Sequence, residues 1–146
     1  MLVRAALDRQ AGNGVFWIGA LNLVAFWAGI RGLAESMTPR LAADQQVHAE
    51  IYRTILRSRP EGLAAAARGM AERADHSGSL SSISVPAVVI AGLDDALISP
   101  QRSRELASAL KRAELVEIPA AGHMPMMEQP AQTAAALDKL LREIQG

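Results

Sequence analysis

Apolar residues follow two different rhythms along this chain. Up to about residue 80 they recur at helical spacing, and beyond it short β-branched runs alternate with helical stretches. In DQQVHAEIYRTILRS, Val47, Ile51, Ile55 and Leu56 fall at helical intervals behind Asp44, a residue suited to capping a helix N-terminus. In RPEGLAAAARGMAERA, Pro60 suits the first helical turn, and Leu63, Ala67, Met70 and Ala74 make one face. These stretches predict two packed helices, followed by the polar connector HSGSLSS.

From Ile83 the rhythm changes. VPAVVIAG, residues 85–92, opens on a proline and closes on a glycine around a β-branched run, which predicts a strand covered on both faces. After LDDALI, Ser99 and Pro100 open a helix that runs to about Lys111, and ELVEI is a second short strand. PAQTAAALDKLLREI then predicts a last helix with Leu137, Leu140, Leu141 and Ile144 on one face. The order strand, helix, strand, helix is that of a parallel α/β architecture, whose crossovers are almost always right-handed.

The most apolar stretch, GVFWIGALNLVAFWAGI at residues 14–30, holds both tryptophans, and no charge occurs between Arg9 and Arg31. A bilayer span needs roughly 20 apolar residues, but Asn13, Asn22 and the interior glycines weaken that reading. Asp8 and the lack of a small-residue cleavage site argue against a signal peptide. A buried or pocket-lining apolar helix is preferred, and membrane association through residues 10–30 is the alternative.

Length and composition narrow the chemistry. The 146 residues suit one domain with its own core. A hydrophobic half and zero formal charge point to neither a disordered chain, nor a basic nucleic-acid footprint, nor electrostatic attraction to an anionic membrane surface. The absence of cysteine excludes disulfides and thiolate chemistry, fits a cytoplasmic location, and leaves oxygen or nitrogen as the nucleophile. The His, Asp and Glu residues show no metal-ligand spacing, so neither a metal nor an organic cofactor is expected.

Loops leaving the carboxyl ends of neighbouring parallel strands lie side by side, because the strands run about 4.8 Å apart in one direction. This places LDDA, after the first strand, beside AAGH, after the second, and allows Asp95 and His123 to face each other. A carboxylate accepting from one imidazole nitrogen fixes the tautomer and leaves the other nitrogen free as a general base. Each residue also has a plainer reading, Asp95 as a turn or capping aspartate and His123 as an isolated loop histidine. Glu128 reads as a helix-start charge, and His48 and His76 as surface residues.

The stretch from Ser79 to Leu141 resembles the α/β-hydrolases, specifically the small esterase and enol-lactonase-like members. The resemblance rests on I-x-VP, an apolar strand, G-x-x-D, a proline, IP-x-AGH and E-x-P before the last helix, in that order, closely over residues 80–141. It implies the C-terminal part of that fold, residues 81–146, preceded over residues 1–80 by the apolar N-terminal helix and a helical lid region. It also implies that Asp95 is the triad acid, with Asp94 as its rival, and His123 the triad base. Pro86, Pro119 and Gly122 would shape strand and turn, while Met124, Met126 and Met127 would border an acyl pocket or, for most of them, pack.

The same resemblance implies a serine on a G-x-S-x-G strand-to-helix elbow, and this sequence has none. Ser79 begins SLSS, Ser36 lies in a helical pattern, no aspartate occupies an equivalent elbow, and the early oxyanion loop is missing. The expectation is a truncated serine hydrolase for a small ester, lactone or thioester. One oxyanion donor alone is worth about 100-fold or more, so the chain by itself should show no esterase turnover. The alternatives are a non-catalytic interaction module and a small membrane-associated protein. Strands without neighbours would also favour self-association through an exposed sheet edge.

Overall fold

The computed structural model describes residues 29–145. The apolar stretch read above as a buried helix or membrane segment lies almost wholly outside the described residues. Among the described residues no helix is long and apolar enough to cross a membrane.

The first elements are helices: α1 over residues 29–41, α2 over His48–Arg57 and α3 over Pro60–Glu72. Asp44 caps as its chemistry predicts, accepting from the Gln46 N–H at 2.8 Å, but the turn it opens is a 3₁₀ segment, Gln45–Val47, that leads into α2. Pro60 opens α3, where its missing N–H costs no helical hydrogen bond. The polar connector is not irregular: Ser77–Ser82 forms a 3₁₀ turn, begun by Asp75 accepting from the Ser77 N–H and hydroxyl.

The strands are β1, Ala87–Gly92, and β2, Ala113–Ile118, joined by α4, Pro100–Ala109. They pair in parallel, with Ala87 opposite Ala113 and Gly92 opposite Ile118. The short helix α5, Pro125–Glu128, and the longer α6, Pro130–Gln145, complete the chain. Glu114 and Glu117 differ in parity along β2 and so point to opposite faces. Glu117 pairs with Arg104 of α4 and Glu114 with Lys139 of α6, which fits helices on opposite faces of the sheet.

The chain forms two compact units. One includes residues 29–36 with Tyr52–Ala74, and Leu33 and Ala34 are buried in it. The other comprises Met37–Ile51 and the chain from Asp75 onward. Its core gathers at the carboxyl end of the sheet, where Ala91, Ile118, Ala121 and Ala136 are buried. Small side chains dominate there because backbone meets backbone: a Cβ on Gly92 would overlap the carbonyl oxygens of Ala121 and Gly122.

On α6 the predicted apolar face is only partly covered. Thr133 and Ala136 are buried, whereas Leu137, Leu141 and Ile144 of the same stripe are exposed.

Candidate active site

The site forms where the two strands end. The Leu93 N–H donates to the Ile118 carbonyl at 3.0 Å, extending the ladder by one bond, and the Asp94 N–H donates to the Ala121 carbonyl at 2.9 Å. These bonds stitch the loop after β1 to the loop after β2. Between them Ala120 adopts φ 53°, a left-handed conformation that turns the chain sharply after Pro119.

Asp95 and His123 meet across this seam. Asp95 Oδ2 lies 2.9 Å from His123 Nδ1. A carboxylate can only accept, so Nδ1 carries the proton of this bond and Nε2 is left to accept one. The other oxygen, Oδ1, accepts from the Leu97 N–H at 2.7 Å and the Ile98 N–H at 2.9 Å. The turn-capping reading and the histidine-pairing reading of Asp95 are therefore both true, one for each oxygen. Asp94 is exposed and takes part through its backbone N–H, so it is Asp95 that faces the imidazole.

Exposure is graded across the pair. The Asp95 side chain is 9% accessible and that of His123 37%. The carboxylate is largely shielded by its own loop, while the imidazole reaches solvent, an arrangement that can serve general-base chemistry.

One sequence reading needs extension and another correction. Glu128 does stand in the first turn of the four-residue α5, but it is more than a helix-start charge: it is buried, at 7% accessible. Its Oε1 accepts from the Gly122 N–H at 2.8 Å, and Oε2 from the N–H groups of Ala43 at 2.6 Å and Asp44 at 2.8 Å. A buried carboxylate needs such partners to offset its desolvation, and those at residues 43 and 44 come from a segment that no local pattern connects to Glu128. His48 is half-buried, with Nε2 3.0 Å from the Ala42 carbonyl just beyond α1, where a ring N–H can satisfy a helix-end acceptor. His76 is exposed, as read. Of the three methionines, Met126 is exposed and the other two are half-buried. Among the described residues no group of His, Asp and Glu could hold a metal ion.

Sequence reasoning missed Glu128 and the two amides that hold Asp95. The amides had a signal, since Asp commonly accepts from N–H groups two or three residues on. Glu128 had none.

Known proteins share this arrangement of chain. The solved structure of a thermophilic esterase from Thermogutta terrifontis is 33% identical, with a TM-score of 0.82 over 94% of this chain and 53% of its own. That of the enol-lactonase from Burkholderia xenovorans LB400 is 26% identical, with a TM-score of 0.76 over 84% of this chain and 49% of its own. BpoC of Mycobacterium tuberculosis, named as a non-heme bromoperoxidase, is 33% identical over 65 residues, 44% of this chain and 25% of that protein. The chain thus spans about half the length of the two enzymes of known structure and a quarter of BpoC. The sequence pattern of the alpha/beta hydrolase family matches residues 3–136. With parallel strands, crossover helices and that match, the chain belongs to the alpha/beta hydrolase family.

Proposed function

We propose that this chain carries the acid–base half of a serine hydrolase that transfers an acyl group from a small ester, lactone or thioester to water. The observation that carries the reading is the hydrogen bond between Asp95 and His123 Nδ1. It leaves Nε2 in the tautomer that takes a proton from a hydroxyl and returns it to the leaving group. Asp95 is the acid and His123 the base; Asp95 orients the ring and stabilises the imidazolium formed as the acyl-enzyme builds. The esterase and enol-lactonase named among the similar structures support the substrate class.

The nucleophile is the other half of the proposal. No G-x-S-x-G occurs in the 146 residues, so the serine and its oxyanion donors come from polypeptide outside them, and the chain by itself does not turn over. The test is to translate the DNA on the 5′ side of the Met1 codon in all frames, and to express the chain with and without what it encodes. The longer protein is expected to hydrolyse p-nitrophenyl acetate, with His123→Ala and Asp95→Asn each lowering kcat about 1,000-fold or more, and the 146-residue chain is expected to be silent. An upstream sequence without a strand–turn–helix serine removes the serine-hydrolase reading. Burst kinetics from the 146-residue chain that His123→Ala abolishes would remove the outside nucleophile.

A further inference from the structure

We infer that Glu128 is a positioning residue for His123, acting through one peptide plane, and that the segment Ala42–Asp44 is part of that support. The inference rests on the reading of His123 as the base.

The peptide unit between Ala121 and Gly122 lies one residue ahead of the unit that joins Gly122 to His123. Its carbonyl oxygen accepts from the Asp94 N–H at 2.9 Å, and its N–H donates to Glu128 Oε1 at 2.8 Å. Both ends of the plane are therefore held, one by the residue before Asp95 and the other by Glu128. A peptide plane held at both ends cannot rotate about its flanking bonds without losing a hydrogen bond, which fixes where Gly122 stands. The Gly122 carbonyl that follows packs so closely on Gly92 that a Cβ there would overlap it, and the two constraints together restrict the direction in which the His123 side chain leaves the loop.

Glu128 is itself held from a distant part of the chain. Oε2 takes the N–H groups of Ala43 and Asp44, and Gly122 lies so close to this segment that a Cβ on it would stand 2.8 Å from the Ala43 nitrogen. Bonds from N–H to an ionised acceptor are about twice as strong as neutral ones. One buried carboxylate thus joins three N–H groups from two separate segments. A shift of the backbone at residues 43–44 and a reorientation of His123 become one event.

The imidazole reports on this without any substrate. In ¹H–¹⁵N spectra of the 146-residue chain, the wild type should show His123 protonated at Nδ1 and hydrogen-bonded to Asp95. Glu128→Gln puts a donor where an acceptor is needed. It should shift the His123 signals toward a mixture of tautomers and speed amide exchange at Gly122, Ala43 and Asp44 about 10- to 100-fold. A folded Glu128→Gln chain with wild-type His123 signals overturns the inference. Asp44→Pro supplies a second route, because the φ of −79° at Asp44 suits a proline ring and the change deletes one N–H donor while keeping Glu128. Asp44→Ala, which keeps the N–H and loses only the cap, is its control. Movement of the His123 signals in Asp44→Pro but not in Asp44→Ala supports the inference, and no movement in Asp44→Pro overturns it. Absence of the Nδ1 bond in the wild type would instead remove the reading of His123 on which the inference stands.

Discussion

A glycine is worth what surrounds it, and two glycines here predict opposite outcomes. At Gly92 a methyl group would overlap two carbonyl oxygens of the loop that leads to His123. Backbone cannot yield as a side-chain tip can, so Gly92→Ala should destabilise the fold by about 3 kcal/mol. At Gly69, inside α3, nothing lies within 4 Å of an added Cβ. Gly69→Ala should therefore raise stability by roughly 0.5–1 kcal/mol through the smaller entropy loss of alanine in a helix. Urea unfolding of the two variants settles the matter, and equal shifts in midpoint would contradict the contact seen at Gly92. Asp95 teaches a related lesson at the same scale. Its two oxygens serve two readings that look exclusive in sequence, because a carboxylate has acceptor capacity for both.

At the level of elements, the turn Ser77–Ser82 depends on one exposed carboxylate. Asp75 accepts from the side chain and then the backbone of Ser77, and these bonds hold its carboxyl below the ordinary carboxylate range, with a smaller contribution from His76. A carboxyl whose folded pKa is depressed adds stability above its unfolded value, and loses it as the pH falls through the folded one. The turn should persist at neutral pH and loosen on strong acidification. In an NMR titration Asp75 should protonate at lower pH than an unpaired aspartate, and Ser77→Ala should move its midpoint up. An unmoved midpoint in that variant would remove the capping account. Element boundaries were largely legible in the sequence: Pro60, Pro100 and Pro130 each begin a helix where the proline rule places it.

For the whole molecule, the apolar surface left open matters more than the surface buried. The described sheet has only two strands, so each strand has an outer edge without a described strand partner. Leu137, Leu141 and Ile144 form an exposed stripe on α6, and Val85 and Ile83 are exposed ahead of β1. Unpaired edges and apolar stripes of this kind favour pairing with another chain. Light scattering of the 146-residue chain should give a mass above the 15.5 kDa of one copy, rising with concentration. A constant single-copy mass up to millimolar concentration would count against self-association.

Apolar spacing, prolines and β-branched runs within a few residues of each other were enough to place α2, α3, α4, α6, the two strands and their order, whereas the short α5 and the 3₁₀ turn at Ser77–Ser82 were not placed by them. The sequence by itself also carried the Asp95–His123 pairing as an expectation, since parallel adjacency brings the two loops together. What it could not determine was any contact between segments that no periodicity relates. Whether Asp94 or Asp95 faces the imidazole depends on a rotation of one residue in a turn, set by the Asp94 and Leu93 N–H groups bonding across the seam. That His48 meets the Ala42 carbonyl depends on how the chain turns after α1. That Glu128 is buried depends on Ala43 and Asp44, 85 and 84 positions away, arriving with unpaired N–H groups. A side chain's charge is written in the sequence, but whether that charge meets water or three amides is decided only when distant backbone packs against it.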